Sequence, residues 1–166
     1  DTDGGLIMPP AYTITNDATG KASVVPCGSQ IGSLGTVCNT AIWGQNVDIH
    51  IENRTDREAY VNVLMDWNKS GEWSGWSTCP DCLGGALAAE HVLIDFPVPA
   101  GFSGPLSNLM PIVQGFVIGP NPGYVWTRFS ITPNMVDDGW TGDREFPDGE
   151  SEDYLLAVDA APTSNE

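Results

Sequence analysis

Apolar and polar residues alternate with a period of two along much of this chain. Val47, Ile49 and Ile51 interleave with Asp48, His50 and Glu52, and Val61, Val63 and Met65 interleave with Tyr60, Asn62 and Leu64. That period places successive side chains on opposite faces of a strand. Further strands are expected at Ala11 to Thr15, Ala22 to Val25, His91 to Phe96, Ile112 to Ile118, Tyr124 to Ile131 and Tyr154 to Val158. Between them stand turn formers such as Pro97-Val98-Pro99, Gly119-Pro120-Asn121-Pro122-Gly123 and Pro147-Asp148-Gly149. Only Gly84 to Glu90 suits a helical turn. Many short strands without a long helical pattern predict an all-β fold, a β-sandwich of jelly-roll or Ig-like type with long loops and little helix. Residues 11–160 read as a single domain, 1–10 as a linker or exchanged strand, and 161–166 as a tail. The run from Leu6 to Ile14 suits either an ordinary edge strand or a strand added to the sheet of another copy.

Composition narrows the setting. The 166 residues are 41% hydrophobic, enough for a folded domain, and carry a formal net charge of -16. That charge repels phosphates, so nucleic acid and anionic membrane surfaces are excluded as partners. No apolar run reaches the roughly 20 residues of a membrane span, so membrane insertion is not expected. The first residue is Asp1, with no basic and apolar leader, so any secretion signal is expected to be removed or left out. Four cysteines fit an oxidising compartment. Cys27 and Cys38 bracket a Gly-rich stretch, and Cys79 and Cys82 would close a tight loop. These two local disulfides are preferred among the three connectivities over a four-thiolate zinc site, because only the second pair has the C-x2-C spacing.

The densest chemistry lies in Gly149-Glu150-Ser151-Glu152-Asp153-Tyr154, where three carboxylates precede an apolar strand. Carboxylates this close repel one another unless a cation sits among them. With six Lys and Arg in the chain, a metal ion is the natural candidate, set against a solvated acidic turn. A second segment, Asp66-Trp67-Asn68-Lys69-Ser70-Gly71-Glu72, has oxygen side chains at alternate positions before a glycine. That is the front half of a calcium loop, although the closing Glu position is Ser77 and no helix flanks it. The expected ligands of a Ca2+ clip are therefore Asp66, Asn68, Ser70 and Glu72 with Glu150, Glu152 and Asp153. A further group, Asp137, Asp138, Asp143, Glu145 and Asp148, suits a second site or a bridge to a neighbouring subunit.

Four motifs in order resemble the GEVED domain, a module of secreted and cell-surface bacterial proteins. They are Asp66-Trp67-Asn68 with Gly71-Glu72-Trp73, then Val98-Pro99-Ala100-Gly101, then Trp126-Thr127-Arg128-Phe129-Ser130, and the signature Gly149 to Tyr154 with Ser151 in place of valine. They cover roughly residues 45 to 160. The resemblance implies a β-sandwich-like extracellular module without established catalytic machinery, usually part of a larger protein. It also implies framework roles for Trp67 and Trp73. Cys79-Pro80-Asp81-Cys82 is an addition to the pattern, and residues 1–44 match nothing in it.

Other chemistry is sparse. His50 and His91 lack partners at metal-ligand spacing and read as surface or half-buried strand residues. Ser77 and Ser103 match a G-x-S-x-G elbow only in part, and there is no Gly-rich phosphate loop. Asn53-Arg54-Thr55 and Asn68-Lys69-Ser70 are glycosylation sequons treated as chance matches. The six tryptophans invite a carbohydrate reading, with Trp76 and Trp140 the free candidates for a binding surface and Trp126 structural. The expected function is thus a non-enzymatic, calcium-binding structural or adhesion module outside the cell. Its partners are other extracellular modules or copies of itself in a surface assembly or filament. The alternative is a carbohydrate-binding module for polysaccharide.

Overall fold

The computed structural model describes residues 33–143, 146 and 149–163, together with the backbone of three strands before them. The strands are β1 (Gly4–Ile7), β2 (Tyr12–Asn16), β3 (Ala22–Pro26), β4 (Gly35–Thr36), β5 (Thr40–Ala41), β6 (His50–Asn53) and β7 (Ala59–Met65). They continue with β8 (Trp76–Thr78), β9 (Leu87–Ala89), β10 (His91–Val98), β11 (Ser103–Pro105), β12 (Phe116–Val117), β13 (Gly123–Thr132) and β14 (Glu150–Asp159). Among the described residues there is no α-helix, only two 3-10 turns at Asp81–Leu83 and Leu106–Asn108. The all-β expectation holds.

The main sheet runs β10-β7-β13-β14-β4, antiparallel except for the β14–β4 pair. A three-stranded sheet, β1-β6-β11, lies against it where β1 meets β13 and β14. Three two-stranded ribbons, β12-β5, β2-β3 and β8-β9, complete the set. Gly4–Ile7, expected as a linker or exchanged strand, pairs with β6 of its own chain as an edge strand.

Strand β7, paired on both edges by β10 and β13, explains how the layers form. Val61, Val63 and Met65 point into the large core with Phe129, Ile131, Leu156 and Ile51. Leu64 points the other way, into a smaller cluster with Val136 and Trp140, backed by Trp73 and Phe146. Both faces of β7 are therefore covered, which is why Leu64 stands at what the alternation marks as a polar position.

Three expectations are corrected. Ile112 to Ile118 is strand only at Phe116–Val117: Val113 is buried from a loop while Ile112 is exposed, so the apolar run packs without a sheet partner. Gly84 to Glu90 is not helical. The turn precedes it, at Asp81–Leu83, because Gly84 (φ 103°) and Gly85 (φ 63°) are left-handed and stop it. Leu87–Ala89 then returns as a strand against β8.

The disulfide pairing is the third correction. Cys38 is bonded to Cys79, with a Cα–Cα distance of 5.7 Å, and Cys82 is a free, exposed thiol. Cys27 lies outside the described residues. The preferred local staples fail because Cys38 and Cys79 are both drawn into the large core beside β12, where the Cys38 amide and the Cys79 sulfur approach the Ile118 carbonyl.

Candidate functional site: an aromatic cleft beside an acidic loop

The Asp66 loop leaves the end of β7 and is anchored by Trp67. That indole is fully buried, lies 6.2 Å from Phe116 and donates Nε1–H to the Ala89 carbonyl at 2.9 Å. Gly119 is required here, since a Cβ at that position would come within 2.5 Å of Trp67. The loop then closes on Asp66. Its Oδ1 accepts from the Ser70 amide at 3.1 Å and its Oδ2 from the Gly71 amide at 2.9 Å. Asn68, Ser70 and Glu72 are exposed around it.

Glu150, Glu152 and Asp153 do not join that loop. Strand β14 begins at Glu150, so the acidic signature is a strand rather than a turn, and its residues alternate between faces. Strand β13 separates it from β7, with Met65, Thr127 and Tyr154 in one row and Leu64, Arg128 and Asp153 in the next. Asp153 accepts two hydrogen bonds of 2.7 Å from Arg128, and Glu152 accepts one from the Tyr154 hydroxyl. The seven expected ligands thus fall into two groups that the sheet holds apart. Among the described residues, no three His, Cys, Asp or Glu side chains gather in a way that could hold a metal. Of the second acidic group, Glu145 and Asp148 lie outside the described residues. Asp137, Asp138 and Asp143 instead shape the loop after β13.

That loop and the face of β10 form a cleft of about 240 Å³. Its aromatic walls are Trp73, Trp76, His91 and Trp140, with Ile94 on the floor and Asp138, Ser74 and Thr141 at the polar positions. Trp76 is 66% exposed, whereas Trp140 is only 7% exposed and is fixed by the Asp143 carbonyl, which accepts from its Nε1 at 2.5 Å. Trp76 and Trp140, singled out as candidates for a binding surface, do line one cavity, but Trp140 is a rigid wall and Trp76 the free face.

One polar node holds the cleft in shape. Buried Asn62 on β7 donates Nδ2–H to Asp95 Oδ1 at 3.0 Å, while its own Oδ1 accepts from the Asp95 amide at 2.9 Å and lies 2.7 Å from His91 Nε2. Asp95 in turn accepts the amides of Val136 and Asp137, at 2.9 and 3.1 Å. The register irregularities in β10 and the left-handed Asp95 (φ 44°) bring His91, Ile94 and Asp95 to the same face. Burial lowers the pKa of His91, opposed by the Asp138 carbonyl and by the charges of Asp95, Asp137 and Asp138.

Beneath the cleft lies Glu90, 1% exposed. Burial raises its pKa and the Asp66 charge adds to that, while the Ser74 amide, donating to Oε2 at 2.7 Å, and the Asn68 and Trp67 amides lower it. A carboxylate set in the apolar run Ala86-Leu87-Ala88-Ala89-Glu90-His91-Val92-Leu93 is the signal for it in the sequence. Trp73, read as framework, and His91, read as a half-buried strand residue, turn out to line the cleft as well.

The other polar grouping is weak as chemistry. Ser103 Oγ is 3.4 Å and Glu52 Oε1 3.7 Å from the same His50 nitrogen, Nε2. A nucleophilic serine needs its orienting carboxylate on the opposite ring nitrogen, and that contact is missing here.

No protein-family model matches the chain, and no curated protein matches it. The resemblance to the GEVED domain therefore stands on the four motifs, now placed on the Asp66 loop, the end of β10, β13 and β14.

Proposed function

We propose that this chain is an extracellular, non-enzymatic binding module whose aromatic cleft holds a neutral saccharide ring. The observation that carries this reading is the exposed Trp76 indole beside the fixed walls of Trp73, His91 and Trp140. An indole face left in water is a stacking platform for the apolar face of a sugar. Asp138, Ser74 and Thr141 supply acceptors and donors for hydroxyl groups at the rim. The net charge of -16 disfavours anionic polysaccharides. The Cys38–Cys79 bond suits an oxidising compartment, and among the described residues no helix is long and apolar enough to cross a membrane.

The test is titration against neutral oligosaccharides and insoluble polysaccharides. Trp76→Ala should weaken binding about tenfold or more, which corresponds to roughly 1.4 kcal/mol. Its melting temperature should stay unchanged, because the indole is mostly outside the core. Failure of the wild-type chain to bind any neutral glycan, or unaltered binding by the variant, overturns the reading.

Assembly is the second reading, favoured by the position of β1 at an edge of the three-stranded sheet. It predicts sedimenting particles that disappear when residues 1 to 14 are removed.

A further inference from the structure

Glu90 carries a chemical problem that the rest of the fold leaves open. Its Oε1 is buried and makes no hydrogen bond, although Oε2 is held by the Ser74 amide. The Glu90 carbonyl accepts the Met65 amide at 2.8 Å, which sets buried Asp66, the next residue, near enough for its charge to act on Glu90. The nearest cationic side chain along the loop, Lys69, turns away and donates to the Pro122 carbonyl at 2.6 Å. A buried carboxylate oxygen without a hydrogen bond, within the field of a second carboxylate, is stabilised by a proton or by a cation.

The loop facing Glu90 offers the oxygens of a cation site. Asn68 Oδ1 lies 3.1 Å from the Ser70 amide, and Ser70 Oγ lies 3.5 Å from Asp66 Oδ1 and 3.1 Å from the Glu72 carbonyl. Lys69 (φ 55°) and Gly71 (φ 85°), the fourth and sixth residues from Asp66, are left-handed and turn the chain around these atoms. Asp66 Oδ2, which accepts from the Gly71 amide, keeps a second lone pair, whereas Oδ1 already accepts from both the amide and the hydroxyl of Ser70. What the loop lacks is the bidentate carboxylate that closes a calcium loop, its usual position being Ser77. Glu90 reaches the loop through the β8–β9 hairpin and brings a buried oxygen that makes no hydrogen bond of normal geometry, with the Trp67 and Asn68 amides directed at the carboxylate.

We propose that Asp66, Asn68, Ser70 and the Glu72 carbonyl, closed by Glu90, bind one Ca2+ ion. The set is all oxygen, mixes carboxylate, amide, hydroxyl and carbonyl donors, and is irregular, which Ca2+ accepts and Mg2+ resists. It replaces the clip to β14, whose Glu152 and Asp153 are engaged elsewhere. It stands independently of the saccharide reading, since the titration needs no glycan.

The experiment is calorimetric titration of the EDTA-dialysed full chain with Ca2+, paired with thermal unfolding. The wild type should bind one ion and melt several degrees higher. Glu90→Gln should fold at least as stably without metal, because a neutral amide suits the buried site. Its Ca2+ affinity should nevertheless fall more than about tenfold. Glu152→Gln should bind as the wild type does. No binding by the wild type at millimolar Ca2+, or binding that Glu90→Gln leaves intact, overturns the proposal.

Discussion

Arg128 and Asp153 stand directly opposite each other on β13 and β14, joined by two parallel hydrogen bonds of 2.7 Å. The cation that the acidic signature demands is this guanidinium, supplied by the neighbouring strand. Arg128 also donates Nη1–H to the Gly142 carbonyl at 2.6 Å and lies 4.6 Å from the Trp73 ring. It therefore ties the sheet to both loops that wall the cleft.

Arg128→Ala should cost about 2 kcal/mol in urea unfolding, since charge-assisted bonds are strong but both partners remain partly in solvent. Asp153→Asn should cost about half of that, roughly 1 kcal/mol, because Arg128 keeps Gly142 and Trp73. Equal losses would show that the contacts to Gly142 and Trp73 contribute nothing.

Cys38 and Cys79 are 41 residues apart, and a loop of that length closed by a disulfide is worth about 4 kcal/mol in the chain-entropy description. Cys38→Ser or Cys79→Ser should lower stability by about 3 to 4 kcal/mol and remove its sensitivity to reductant. Cys82→Ser, at an exposed thiol, should stay within about 0.5 kcal/mol of the parent. Mass spectrometry of the unreduced peptides provides an independent check of the pairing.

Tyr154 links alkaline stability to β14. Burial, then its hydrogen bond to Glu152, then the charges of Glu152 and Glu150 raise its pKa above the ordinary value. A raised native pKa favours folding fully below about pH 10, where the unfolded phenol titrates, and that advantage is lost as pH rises further. Tyr154→Phe should flatten the fall in stability between about pH 9.5 and pH 11.5. Parallel curves for the two proteins would refute the assignment.

Apolar runs bounded by turn formers made β7, β10, β13 and the apolar half of β14 legible in the sequence. The start of β14 was hidden. Clustered carboxylates suggest a metal site or a solvated turn, yet Glu150 to Asp153 continue the strand with Arg128 opposite Asp153, and pairing of that kind has no local mark. The cysteines misled for a related reason: short spacing suggests a local staple, while tertiary packing joins Cys38 to Cys79 across β5, β6 and β7. Of the cleft, Trp76 and Trp140 were visible as tryptophans outside the framework motifs. In the sequence His91 reads only as a surface or half-buried strand residue, and Asp95 and Glu90 are not singled out, since their roles come from the irregular register of β10 and from burial beneath the loops.

The Cys38–Cys79 bond also decides how the module would bear mechanical load. Tension applied through segments before Cys38 and after Cys79 passes across the sulfurs and bypasses everything between them. The intervening stretch, roughly 140 Å of chain if fully extended, stays slack, and β7, an interior strand of the main sheet, is shielded from pulling. A reducing environment would release that hidden length, so the redox state would set the distance over which the chain can stretch before it tears.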